Sequence, residues 1–204
     1  VAWDFLKENG LKALILKSKH KIQGIDDDYD YAEWWNLTKP SEEELEAQKK
    51  ETFEYMPKFS IVIPVYKTPE KFLKEMLDSI VEQTYANWEL CIADGSPAGE
   101  SVENVLKKYA EKDARIRYQV LGENRGISGN TNAALEMAEG DFIVLADHDD
   151  RLTPNALFEC AKKLNENENC DVLYSDEDKL DMDGDELFDP HFKPDFNPDL
   201  LTSV

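Results

Sequence analysis

The run Phe59–Val65, FSIVIPV, constrains this chain more than any other stretch. Successive residues of a strand point to opposite faces, so a near-continuous apolar run predicts a strand buried on both sides. Parallel sheets covered by helices meet that condition. Two further runs repeat it, Trp88–Ala93 (WELCIA) and Asp141–Ala146 (DFIVLA), and strands are also expected over Arg115–Val120 and Asp171–Ser175. Helical periodicity fills the intervals. Thr68-Pro69 is read as the cap of a helix, with Pro at its first position and Phe72, Leu73, Met76, Leu77, Ile80 and Val81 on one face. Residues 100–112 place Val102, Val105, Leu106 and Tyr109 inward. Residues 128–139 read as a helix stopped by Gly140. Thr153-Pro154 is read as the cap of another, running to Glu166. The alternation predicts an α/β fold, a mostly parallel sheet flanked by helices on both faces.

Residues 1–58 read as an N-terminal helical extension and connector, and 59–204 as the main domain. Residues 2–18 show a helical stripe of Trp3, Leu6, Leu11, Leu14 and Ile15. Residues 1–21 carry five lysines against Asp4 and Glu8. That balance suits peripheral contact with an anionic membrane surface; it equally suits a solvated helix face on the protein's own domain. In the connector, Asp26, Asp27, Asp28 and Asp30 cluster, and Trp34 and Trp35 are expected to dock on the main domain. Ser41 before Glu42, Glu43 and Glu44 reads as a helix N-cap with acidic residues in the first turn.

Charge and composition narrow the function. Lys and Arg number 23 against 44 Asp and Glu, a net charge of −21. Such a chain is a poor general nucleic-acid binder, because that binding rests on neutralising phosphates. No run approaches the roughly 18–20 apolar residues of a spanning helix. Cys91, Cys160 and Cys170 form no CxxC pair, and their odd number fits a reducing cytoplasm better than a disulfide framework. The opening VAWDFLKENG lacks an apolar leader core. The chain begins at Val1 and stops at Val204, so a piece of a longer protein is expected.

Ligands of such sheets bind at the carboxyl ends of the strands. There the sequence offers Pro64-Val65-Tyr66, then Asp94-Gly95-Ser96, then Gly122–Asn130, then Asp147-His148-Asp149-Asp150. Neither GxGxxG nor GxxxxGK[ST] follows any strand, which excludes an ordinary dinucleotide or P-loop site. Phosphates could still be held through a cation. Asp147 and Asp149 supply hard oxygens suited to Mg²⁺ or Mn²⁺. The alternative for these aspartates is a solvated turn, and for Asp94 it is turn chemistry before Gly95; the two readings of Asp94 are compatible.

The blocks at 59–85, 87–96 and 123–150 resemble the inverting family 2 glycosyltransferases with the GT-A (Rossmann-like) fold. The block DVLYSDEDKLDMDGDELFDPHFKPDFNPDLL at 171–201 resembles their bacterial rhamnosyltransferase-like, surface-polysaccharide subgroup. The resemblance implies a donor-binding half that takes a nucleotide-diphosphate sugar, UDP or dTDP, and a saccharide or lipid-linked acceptor. By this resemblance Pro64, Val65 and Tyr66 pack on the base and Asp94 accepts its N–H. Gly126, Ser128 and Asn130 admit the nucleotide, and Arg125 supplies positive charge. Asp147 lies toward the ribose and Asp149 binds the metal. Asp176, Glu177 and Asp178 face the donor sugar and acceptor. The general base is expected beyond Val204, so no catalytic residue is assigned. A non-catalytic nucleotide-sugar or partner-binding module is the alternative. The expected location is cytoplasmic, at the inner face of the plasma membrane if residues 1–21 bind it.

Overall fold

The computed structural model describes residues 31–184 and 186–197. The helix expected over residues 2–18, its membrane contact and the acidic cluster at 26–30 lie outside them. Two compact units are present. One spans Ser41–Cys170; the other comprises the remaining described residues, 31–40 and 171–197.

The larger unit is built on four parallel strands: β1 (Phe59–Val65), β2 (Trp88–Asp94), β3 (Ile116–Val120) and β4 (Phe142–Leu145), in the order β3-β2-β1-β4. β1 is central. It pairs from Phe59 opposite Trp88 to Val65 opposite Asp94, and on its other side from Phe59 opposite Phe142 to Val62 opposite Leu145. Burial of β1 on both faces follows the sequence expectation. Phe59, Ile61, Ile63 and Val65, with Trp88, Leu90 and Ile92, face helices α3 (Glu70–Val81), α4 (Glu103–Ala110) and α6 (Ala156–Glu166). Those helices contribute Leu73, Met76, Leu77, Ile80, Val105, Leu106, Leu157, Phe158 and Leu164 to the core. Full burial of a side chain of this size contributes about 1.5–3 kcal/mol, so this face dominates the unit's stability. On the opposite face α5 (Gly126–Leu135) lays Ala133 and Ala134 over Val62 and Ala93. Small residues on both partners let that helix approach closely.

The same face carries a buried charge. Glu89 is the second residue of the apolar strand β2 and is 4 % exposed. Its carboxylate accepts hydrogen bonds from Ser60 Oγ at 2.6 Å and from the Glu139 N–H at 2.5 Å. It also pairs with Lys58 Nζ at 2.5 Å and Arg117 Nη2 at 2.8 Å. Burial pushes the Glu89 pKa up, but the bonds from Lys58, Ser60 and Glu139 and the Arg117 charge outweigh it and bring it down to about 2.

The structure corrects several local expectations. α5 starts at Gly126 and ends at Leu135, so Gly140 is not its stop. Gly140 is needed for close approach instead: a Cβ there would lie 2.5 Å from Lys58 O and 2.7 Å from Ser60 Oγ. Thr68 does not cap α3. Pro69 holds the N-cap position without a side-chain bond, and the buried Thr68 Oγ1 has no partner. Thr153 likewise yields to Asn155 at the start of α6. Residues 171–176 form no strand. Their apolar run is only Val172–Tyr174, all three side chains are exposed, and no burial compensates for ordering them. Ser41 does cap α2 (Glu42–Gln48): its Oγ accepts the Glu44 N–H while Glu44 accepts the Ser41 N–H, a reciprocal box.

In the smaller unit, helix α1 (Tyr31–Thr38) packs on a two-stranded antiparallel hairpin of β5 (Glu177–Leu180) and β6 (Leu187–His191). Trp34 stacks with Tyr31 and meets Phe192 edge-on there. No described helix is long and apolar enough to cross a membrane.

Glu89→Gln should lower stability by about 2–4 kcal/mol, because Lys58 and Arg117 lose their buried anion and keep only the exposed Glu139. The native carboxylate is held below its ordinary value of 4.5, so its contribution is full above that pH and is lost as pH falls toward about 2. Urea denaturation of the wild type and variant across that window checks both statements. A variant as stable as the wild type at pH 7 contradicts them.

Candidate functional site

The four strands run the same way, so the segments that follow them gather at one edge of the sheet. The first two are joined by a side chain of one reaching the other, and the last two are held by bonds within themselves. After β1, Pro64 is half-buried, Val65 is buried and Tyr66 is 40 % exposed. Lys67 adopts φ +52°, an uncommon conformation for a residue with a side chain. Its N–H donates to Ser96 Oγ at 2.8 Å, and the Gly95 N–H donates to Val65 O at 2.9 Å. The turns after β1 and β2 are thus stitched together, with the Tyr66 ring left facing solvent.

Asp94 ends β2 and is fully buried. Its Oδ1 accepts the Ser96 N–H at 2.8 Å, and its Oδ2 accepts Ser101 Oγ–H at 2.6 Å and the Val102 N–H at 3.2 Å. The turn chemistry read from the sequence is present, and the carboxylate also ties β2 to the start of α4.

After β3, residues 122–128 are exposed, Arg125, Gly126 and Ser128 among them. Gly126 has φ +73°, which favours glycine. The Arg125 guanidinium meets Glu123 at 3.2 Å. Asn130 is placed differently from the open approach expected of it: it is 2 % exposed and serves as a bracket. Its Oδ1 accepts the Arg125 N–H at 3.1 Å, and its Nδ2 donates to Asn124 Oδ1 at 3.1 Å. Asn124 Oδ1 also accepts the Gly126 N–H at 2.9 Å. A Cβ on Gly95 would lie 2.6 Å from Asn130 Nδ2, so the glycine after Asp94 makes room for this bracket. Sequence reasoning missed the bracket. The available signal was an Asn at the fifth position of a short, polar helix start.

After β4, the Asp150 N–H donates to Asp147 O at 3.4 Å and closes a turn. Asp147, Asp149 and Asp150 are exposed on it. His148 is half-buried, with Nδ1 3.6 Å from Asp149 Oδ1. No group of three His, Cys, Asp or Glu comes together among the described residues. The hard oxygen donors this turn could offer a cation are the exposed carboxylates of Asp147 and Asp149. That fits a magnesium-type ion, which binds one or two carboxylates and takes its other ligands from phosphates and water.

A sequence model of glycosyl transferase family 2 matches residues 60–196. The chain belongs to this family. Its parallel sheet flanked by helices is the GT-A fold. Among relatives, an uncharacterized protein y4gI of Sinorhizobium fredii is 41% identical over 148 residues, covering 72% of this chain and 16% of that protein. The O-antigen biosynthesis protein RfbC of Myxococcus xanthus is 33% identical over 175 residues, covering 86% of this chain and 14% of that protein. This family 2 chain thus spans about a sixth of the length of those relatives, 16% and 14% respectively. Among solved structures, S. aureus TarS 1–349 in complex with UDP matches with TM-score 0.50 and 29% identity, over 54% of this chain and 33% of that one.

The carboxylates Asp176, Glu177 and Asp178 belong to the smaller unit and are engaged there. Asp176 accepts the Lys193 N–H at 2.7 Å, Glu177 pairs with Lys193 Nζ at 2.9 Å and His191 at 3.2 Å, and Asp178 accepts the Tyr31 hydroxyl at 2.5 Å.

Gly95→Ala should cost about 1–3 kcal/mol, since the new methyl displaces Asn130 and has no space to occupy. Asn130→Ala should remove the same bracket and have little further effect on top of Gly95→Ala. Urea titration of both single variants and the double variant measures this; strict additivity would show that Gly95 and Asn130 act separately.

Proposed function

We propose that this chain is the donor-binding part of a glycosyltransferase. It would transfer a sugar from a nucleotide-diphosphate sugar to a saccharide or lipid-linked acceptor, with inversion at the anomeric carbon. The setting is bacterial cell-surface polysaccharide synthesis, on the cytoplasmic side of the membrane. The carrying observation is the edge itself: in a family 2 chain, an exposed aromatic ring, a buried aspartate and a paired-aspartate turn follow three parallel strands. The name of the RfbC relative supports the polysaccharide setting. The TarS complex makes UDP the first nucleotide to try.

The roles follow from chemistry. Tyr66 offers its exposed ring to the base, over the wall made by Pro64 and Val65. Asp94 is assigned to the base N–H: Oδ1 carries one protein hydrogen bond and has capacity for a second, but the carboxylate is fully buried, so the base reaches it only when the turn after β2 opens. Gly126, Ser128 and Arg125 line the polar approach to the nucleotide, with Asn130 fixing their backbone. Asp147 is directed to the ribose, and Asp149 holds the Mn²⁺ or Mg²⁺. When bound, that ion neutralises the diphosphate and stabilises it as the leaving group. Asp176, Glu177 and Asp178 are assigned to the donor-sugar and acceptor side. The base that takes the acceptor's proton is not assigned to a residue of this chain.

Titration calorimetry with UDP, dTDP and GDP, each with and without Mn²⁺, tests the reading. One nucleotide should bind, and only with the metal. Asp149→Ala should weaken that binding by at least about tenfold, the scale of losing a metal ligand's support. Equal affinity with and without Mn²⁺ would remove the metal assignment; no binding of any nucleotide to the folded chain would remove the donor assignment.

A further inference from the structure

We propose that helix α1, which precedes the family-matched region, is a positioning element for the acidic hairpin: Tyr31 sets the Asp178 carboxylate, and Trp34 holds the strands that carry it. For the reaction this rests on the assignment of Asp178 to the sugar and acceptor side. The physical coupling stands without it.

Among the described residues β5 and β6 form a sheet of two strands. Such a ribbon is marginal in water unless a helix packs on it. Its ladder is also interrupted: Glu177 faces His191 and Lys179 faces Phe188, so Asp178 of β5 lies opposite two residues of β6, Asp189 and Pro190. In that bulge of β6 Asp189 has φ +51° and Pro190 has no N–H to donate. A bulge disrupts the local ladder. Asp178 therefore sits where regular pairing does not fix the strand, and an outside contact has that role open to it.

Helix α1 provides that contact. The Tyr31 hydroxyl donates to Asp178 Oδ2 at 2.5 Å. Burial, then this bond and the charges of Asp178 and Asp176, keep the phenol protonated well above its usual range, so it remains a donor at any working pH. One turn on, the Trp34 ring centroid lies 5.6 Å from that of Tyr31, stacked, and 5.5 Å from that of Phe192, edge to face. Tyr31 also meets Phe192 edge-on at 6.5 Å. Three rings thus close over the end of β6, while the hydroxyl of one reaches Asp178, the residue of β5 opposite the bulge. The family model begins at residue 60, so both residues lie ahead of the region it matches. The connector is thereby part of the hairpin's architecture.

Two variants separate positioning from packing. Tyr31→Phe keeps the ring and removes the hydrogen bond; Trp34→Ala removes the clamp. Hydrogen exchange should show hairpin amides in 177–191 exchanging about tenfold faster in Trp34→Ala. Trp34→Phe should restore most of the protection. In Tyr31→Phe the protection should stay within about twofold of wild type, while the Asp178 carboxylate carbon resonance shifts. An unchanged Asp178 resonance in Tyr31→Phe would overturn positioning, and unchanged exchange in Trp34→Ala would overturn the clamp. UDP affinity is measured alongside. Its absence in the wild type would count against the donor assignment and leave the exchange result to decide the coupling.

Discussion

β1 takes backbone hydrogen bonds from β2 on one side and β4 on the other, and its side chains are packed on both faces. That double confinement sets everything at the C-terminal edge. Because Val65 is held opposite Asp94, Tyr66 must emerge beside the turn that follows β2. Because β4 is held parallel to β1 as far as Leu145 opposite Val62, the Asp147–Asp150 turn must emerge on the same edge. A one-residue slip would exchange the two faces of β1 and place its large apolar side chains under the small residues of α5.

Confinement of the strands does not fix the loops; polar side chains do. Lys67 is tied to Ser96, Asp94 to Ser101 and Val102, and Asn130 to Arg125 and Asn124. These residues sit at the site yet spend their hydrogen bonds on the protein. The groups left in water are the Tyr66 ring, Arg125, Ser128 and the Asp147/Asp149 pair. A buried layer of hydrogen-bonded side chains thus carries the exposed groups of the candidate site, an arrangement that would let a site bind without first being ordered. Glu89 plays the corresponding part at the other end of α5, anchoring Glu139 and, through Ser60, Gly140.

The readable parts of this architecture in the sequence were those set by local chemistry. The double-faced run of β1 and the apolar core of β2 signal their own burial, and the Ser41 cap needs only Glu44, three positions on; the equally apolar β4 is buried on neither side as fully, with Ile143 44 % and Leu145 72 % exposed. The residue types after each strand suggested a site. What the sequence hid depends on partners far along the chain. Gly140 looks like a helix stop until Lys58 and Ser60, about 80 positions earlier, close against it. Glu89 gives a hint, since a carboxylate inside an apolar strand demands partners, but not which ones. Val172–Tyr174 reads as a strand because its residues favour one, and the structure gives the run no strand. Asn130 and Tyr31 carry no motif that announces a bracket or a clamp.

If the loops following β1 to β4 form one donor site, as proposed, Mn²⁺ bound with UDP will broaden their amide resonances. Broadening should concentrate at residues 147–150, with weaker effects at 65–67, 94–96 and 125–130, and none of this pattern when Mn²⁺ is added without UDP. Broadening that ignores UDP, or that centres on another surface of the folded chain, would contradict it.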